Sequence, residues 1–186
     1  MKKSTTMPLK VVAMLAILAA ISIILGKYLA IRVGDVLRFS FENLPIIFAG
    51  AVFGPVAGIL VGVVADLIGC VLVGYAINPI ITVGGAVIGA LSGILSYLFK
   101  RFPGVHPVMK TLLITLIPHL VGSVVIKTFG LAVFYDMPFF ILMLWRLLNY
   151  VIVGALEAIL LFFLFKSKAI NSQIIKYAQV NGRRGK

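Results

Sequence analysis

Leu37–Gly69 reads L-R-F-S-F-E-N-L-P-I-I-F-A-G-A-V-F-G-P-V-A-G-I-L-V-G-V-V-A-D-L-I-G, and how this stretch is divided decides the fold. From Leu44 to Gly74 the chain carries one charged residue, Asp66. A single helix over 44–74 would run 31 residues; two helices would be Leu44–Phe53 and Val56–Gly74, parted only by Gly54-Pro55. Outside this stretch the apolar runs are Leu9–Gly26, Pro79–Phe99, Met109–Gly130 and Phe139–Phe165. The choice is therefore between five spans and six.

Charge placement decides it. Lys and Arg are retained on the cytoplasmic side of a membrane. Of the 17 basic residues, Lys2, Lys3 and Lys10 precede the first run. Lys100, Arg101 and Lys110 fall between the fourth and fifth, and Lys166, Lys168, Lys176, Arg183, Arg184 and Lys186 follow the last. Six spans put all three clusters on one side, whereas five would separate the middle cluster from the tail. The sequence thus predicts an all-α membrane protein, a six-helix bundle over residues 1–166 with both termini cytoplasmic. Gly54-Pro55 becomes a tight cytoplasmic turn, and residues 167–186 form a basic cytoplasmic tail. The acids Asp35, Glu42 and Asp136 fall in outer loops, Asp66 towards the outer end of the third span, and Glu157 deeper in the sixth.

Composition supports this. The 186 residues are 62% hydrophobic and 12% charged, with mean hydropathy +1.17. An ordinary soluble domain has about 45–50% apolar and about 25% charged residues, so this chain could not cover a surface facing water. At about 20 residues per span, roughly six or seven spans fit, with no room for a separate soluble domain. The net charge of +12 is mostly a topology signal, with attraction to anionic membrane lipids at the inner leaflet. No basic stripe with interleaved aromatics occurs, so no nucleic-acid partner is expected. The lone cysteine, Cys70, excludes an intrachain disulfide and reads as a small buried hydrophobe. The first apolar run is long for a signal sequence and lacks a cleavage site, so it reads as a retained span.

Small residues let helix backbones approach closely in lipid. Gly58 and Gly62, and Gly85, Gly89 and Gly93, have the spacing for packing inside the bundle. Ala13, Ala16 and Ala20 share a face of the first span, suited either to internal packing or to docking a different membrane subunit.

Ionisable residues at membrane depth are costly and tend to be functional. Lys27, Asp66, Lys127 and Arg146 all fall in the outer half, with Asn149 and Tyr150 following Arg146 at helical spacing. Arg38, Tyr75 and Asn78 join them from outer loops, and the aromatics Phe39, Phe41, Phe134, Tyr135 and Trp145 add to the lining. Together they predict one outward-facing cavity with excess positive charge. It suits a flat aromatic solute with carboxylates, held by charge-assisted hydrogen bonds and stacking. A blander reading has Lys27 and Arg32 snorkelling and Asp66 paired with Arg146 or Lys127. Glu157 could pair with a partner, carry a proton or bond His119; neither residue is assigned to catalysis.

Enzyme signatures are absent. There is no phosphate-binding G-x-x-x-x-G-K-[ST] loop, no H-E-x-x-H, no G-x-S-x-G and no paired acidic motif for magnesium. No catalytic residue, metal or cofactor is expected.

The quoted stretch resembles the substrate-capture (S) components of energy-coupling factor (ECF) vitamin transporters, in particular the folate family. Their pattern runs R-x-S-F…L-P, then A-G-x-x-F-G-P-x-x-G, then A-D-L-x-G. The likeness continues through Y-A-I-N-P-I-I-T-V-G-G-A (75–86) and L-W-R-L-L-N-Y (144–150), and so covers about residues 9–165. Where many folate-type members carry an F-P-G-F-T-like segment, this chain reads Ile77-Asn78-Pro79-Ile80-Ile81-Thr82. The resemblance implies a six-helix bundle that binds one vitamin near its outer face beneath the first outer loop, about 27–43, and has no ATPase of its own. It also implies docking to a membrane coupling subunit and two ATPase subunits, through an A-x-x-x-A face matched here by Ala16 and Ala20. Such proteins are typical of Gram-positive bacteria. For folate, Arg38, Lys127 and Arg146 would hold the carboxylates, Asp66 and Asn78 the pterin edge, Tyr75 and Trp145 the ring, with Asn149 in support. Alternatives are another vitamin (pantothenate, a thiamin precursor or a queuosine precursor) or a stand-alone secondary transporter using Glu157 as proton site.

Overall fold

The computed structural model describes residues 7–33, 37–102 and 104–167. The N-terminal lysines Lys2 and Lys3, Asp35 and the tail from Lys168 lie outside the described residues, as do the side chains of Arg32 and Arg38. Helix α1 (Leu9–Ile23) widens into a π turn at Ile24–Tyr28. A short antiparallel hairpin follows, β1 (Ile31–Val33) and β2 (Leu37–Phe39), with Arg32 opposite Arg38. Then come α2 (Asn43–Phe53), α3 (Pro55–Leu72), α4 (Pro79–Lys100) and α5 (Pro107–Pro118). A π stretch, His119–Ile126, joins α5 to α6 (Lys127–Tyr135), and α7 (Phe139–Lys166) closes the bundle.

Five helical stretches are long and apolar enough to cross a membrane: Leu9–Tyr28, Pro55–Leu72, Pro79–Lys100, Pro107–Tyr135 and Phe139–Lys166. The predicted second span is different in kind. Helix α2 has 11 residues, and at 1.5 Å per residue it rises about 16 Å, half the hydrocarbon thickness. The break at Gly54-Pro55 is as read from the sequence. Gly54 has φ +100°, a conformation that favours glycine, and Pro55 opens α3.

The fifth span also differs from the sequence reading, running to Tyr135 instead of stopping at Gly130. Gly130 is a contact position and not a helix stop. A Cβ there would press on the side chains of Ile80 and Ile81. Helix α6 ends where Asp136 adopts the left-handed conformation and Pro138 follows.

The core collects Val11, Leu15, Ala19 and Ile23 of α1, Ile46, Ile47 and Ala49 of α2, Val61 and Ala65 of α3, Ile88 of α4 and Leu161 of α7. Helices α3 and α4 meet backbone to backbone. A Cβ on Gly58 or Gly89 would collide with the main chain of the other, and one on Gly62 with Gly85. Gly93 lies against the Gly54-Pro55 turn in the same way. The glycines of the third and fourth spans therefore serve internal packing, as their spacing suggested.

Gly89→Val should lower stability by about 2 kcal/mol through overpacking. Gly104→Ala, where a Cβ meets nothing within 4 Å, should stay within about 0.5 kcal/mol. Reversible unfolding in detergent measures both.

Candidate ligand-binding pocket

The pocket forms where the π turn after α1, the start of α2, the end of α3, the start of α4, α6 and the first half of α7 converge. Two compartments, of about 420 and 100 Å³, share Glu42, Ile81 and Leu131. Lys27, Asp66 and Tyr75 line the larger; Lys127, Arg146 and Asn149 line the smaller.

At their junction Lys127 Nζ donates to Glu42 Oε1 at 3.1 Å and to Asn43 Oδ1 at 3.4 Å, and Lys127 is only 7% exposed. The segment ahead of α2 fixes the carboxylate. Glu42 N–H donates to Ser40 Oγ, and its carbonyl accepts from Ser22 Oγ at 2.6 Å. Glycines vacate the volume the charged side chains occupy. A Cβ on Gly26 would strike Glu42, and one on Gly84 would strike the Lys127 stem.

In the larger compartment Asp66 Oδ2 accepts from Thr82 Oγ1 at 2.6 Å, and Oδ1 accepts a long contact from Cys70 Sγ at 3.8 Å. Lys27 Nζ donates to Cys70 Sγ at 3.6 Å and stands 5.6 Å from the Tyr75 ring centroid. Asp66 is thus held by a hydroxyl, and among the described residues it forms no ion pair with Arg146 or Lys127.

Arg146 is placed by the backbone of the π stretch. Lys127 N–H reaches five residues back to Gly122 O. Return to four-residue spacing in α6 then skips the carbonyl of Ser123. Arg146 takes that carbonyl with Nε at 3.1 Å and Nη2 at 2.9 Å, and it stacks on Tyr150 at 5.3 Å. Among the described residues Arg146 has no carboxylate partner. Beneath it His119 Nε2 lies 2.6 Å from Glu157 Oε2, with His119 2% and Glu157 0% exposed. Of the roles left open for Glu157, the bond to His119 is present. The His119 ring also stacks on Tyr150 at 4.9 Å.

The sequence-derived set is therefore partly assembled. Asp66, Tyr75, Lys127, Arg146 and Asn149 reach the compartments. Asn78 borders the larger one, but its side chain is committed elsewhere. Its Oδ1 accepts from Ile80 and Ile81 N–H as the cap of α4, and its Nδ2 donates to Gly130 O at 2.9 Å. Trp145 is 44% exposed on α7 and lines neither compartment. Arg38 sits on β2, its side chain outside the described residues. Ala13, Ala16 and Ala20 are exposed on the outer side of α1, away from its buried face of Val11, Leu15 and Ala19. Sequence reasoning missed Glu42 as the partner of Lys127, and Thr82 as the partner of Asp66. Among the described residues no group of three His, Cys, Asp or Glu could hold a metal ion.

His119→Ala should cost about 3–5 kcal/mol of stability, because it leaves the Glu157 carboxylate buried without its partner. Adding Glu157→Leu should restore most of the loss. Unfolding of the single and double variants in detergent measures the difference.

No curated protein sequence matches the chain. Solved structures share its fold, three of them as follows. One is "Crystal structure of FolT bound with folic acid", at 22% identity and TM-score 0.69, covering 87% of this chain and 96% of that one. A second, "Structure and mechanism of the S component of a bacterial ECF transporter", has 22% identity and TM-score 0.64, with coverages of 88% and 97%. The third is the S-component for biotin from an ECF-type ABC transporter, at 19% identity and TM-score 0.65, covering 87% and 96%. The family described as "ECF transporter, substrate-specific component" matches residues 10–166. With that match over most of its length, the chain belongs to the substrate-specific components of ECF transporters: it is a multi-pass membrane protein and a substrate-binding transporter subunit, not an enzyme.

Proposed function

We propose that this subunit captures folate from the outer side of the cell membrane. The observation that carries the reading is the charge inventory of the pocket. Lys27, Lys127 and Arg146 stand against Glu42 and Asp66, and Arg146 has no carboxylate partner among the described residues. A surplus cation with free guanidinium N–H groups calls for an anionic ligand. Folate offers two carboxylates on its glutamate tail. Asp66, facing the larger compartment beside the Tyr75 ring, suits the N–H edge and flat face of the pterin. The fold likeness to the folic acid-bound FolT structure supports the same solute.

In this reading Lys127, Arg146 and Arg38 attract the carboxylates, with Asn149 beside Arg146. Asn78 shapes the wall through its cap, and the segment about 27–43 roofs the pocket. Six membrane passages leave both termini cytoplasmic. The exposed Ala13, Ala16 and Ala20 face docks a membrane coupling subunit that carries two ATPase subunits, which supply the energy the chain cannot generate.

Arg146→Ala should weaken folate binding by at least about 2 kcal/mol, roughly 30-fold, as measured by calorimetry on purified protein. Unchanged affinity would remove Arg146 from the site, and tighter binding of biotin or pantothenate than of folate would reassign the solute. Ala16→Leu with Ala20→Leu should abolish co-purification with the coupling subunit and leave folate affinity within about twofold, since neither residue faces the pocket.

A further inference from the structure

The opposite end of the bundle carries a second cavity that the capture of a vitamin does not use. A groove of about 710 Å³ opens between the end of α2, the end of α4, the start of α5 and the end of α7. Its walls include Val52, Phe99, Ile114, Phe162 and Phe165, the last stacked on Phe48 at 5.9 Å. Two polar side chains in the wall are already satisfied. Ser96 Oγ donates to Ala51 O, and Thr111 Oγ1 donates to Pro107 O, each at 2.9 Å. The interior therefore asks for apolar atoms alone.

The rim asks for something else. Lys100 ends α4, Lys110 lies in the first turn of α5 and Lys166 ends α7, so three elements bring three ammonium groups to one mouth. No acid lines the groove, and none of the three lysines forms an ion pair among the described residues. Helix ends of spanning segments lie at the level of lipid headgroups. The groove thus offers an apolar slot beneath a cluster of uncompensated positive charge at headgroup depth. That combination matches an anionic phospholipid, whose phosphate is negative and whose acyl chain is apolar. A soluble anion would leave the slot empty, and a zwitterionic lipid would leave the rim uncompensated.

We propose that this groove is a binding site for an anionic phospholipid, the headgroup held by Lys100, Lys110 and Lys166 and an acyl chain lying against Phe99, Phe162 and Phe165. The chain has a single tryptophan, Trp145, on the outer part of α7, so a clean reporter can be built. The full chain carrying Trp145→Phe and Phe162→Trp is reconstituted in phosphatidylcholine vesicles. Dibrominated phosphatidylglycerol or dibrominated phosphatidylcholine is then added as the quencher. Phosphatidylglycerol should reach half-maximal quenching at about a fivefold lower mole fraction, the effect of about 1 kcal/mol from a lysine near an anionic headgroup. Lys100→Gln, Lys110→Gln and Lys166→Gln together should bring the two curves together, with circular dichroism verifying the helical fold. Should the triple variant fail to fold, Lys110→Glu alone should shrink the preference. Coincident curves with the lysines intact overturn the proposal, as does a preference that survives their removal. Absence of quenching by either lipid also overturns it, since the slot is then filled by protein, whether a partner helix or residues 168–186.

Discussion

Lys127 and Glu42 meet at 3.1 Å in a chain whose surroundings are mostly hydrocarbon, and the pocket is arranged around that pair. Two charges taken out of water lose solvation that mutual attraction offsets only with good geometry and further hydrogen bonds. Asn43 Oδ1 supplies such a bond to Lys127 Nζ, while Ser40 and Ser22 hold the main chain of Glu42 through its N–H and C=O. The pair ties the start of α2 to α6, elements 85 residues apart. The consequence for binding is specific. In the proposed reading Lys127 therefore meets a carboxylate as one half of its pair with Glu42, while Arg146 brings a charge with no carboxylate partner among the described residues.

A polar centre of this kind needs close helix packing around it. The glycines along α3 and α4 set the distance between those helices at backbone contact. At that separation the short side chain of Asp66 reaches Thr82 across the interface at 2.6 Å. A larger residue at Gly62 or Gly85 would push the helices apart and leave the Asp66 carboxylate without its hydroxyl. Packing and ligand chemistry are therefore one constraint at this interface.

How much of this was legible in the sequence depended on the range of the signal. Charge clusters and apolar runs are local, and they gave the helices and one basic end; Lys100, Lys110 and Lys166 do line a single groove. That Asp66, Lys127 and Arg146 line the compartments was legible because ionisable residues stand out in apolar runs. Their partners were not legible. Glu42 pairs across 85 residues and Thr82 across 16, and no spacing rule reports such distances, whereas the bond of His119 to Glu157 across 38 was among the options left open. Asn78 was open to a better reading: Asn directly before Pro is a helix-start signature, which explains its role as the cap of α4. The short α2 was legible as well: the stretch between Glu42 and the Gly54-Pro55 break leaves room for Leu44–Phe53, and the helix runs Asn43–Phe53.

The π stretch His119–Ile126 shows how a local irregularity positions a distant side chain. Proline has no N–H and disturbs the regular helical ladder, and Pro118 stands immediately before the widened turns. Where α-helical spacing resumes, one carbonyl is left over, and in lipid such a group must find a donor within the protein. The guanidinium of Arg146 fills that vacancy with two parallel N–H groups, a geometry that lysine cannot reproduce. Its orientation is thus set by main-chain atoms of the neighbouring helix before any ligand arrives. A cation held in this way does not have to be ordered on binding, which removes an entropic cost a free side chain would pay.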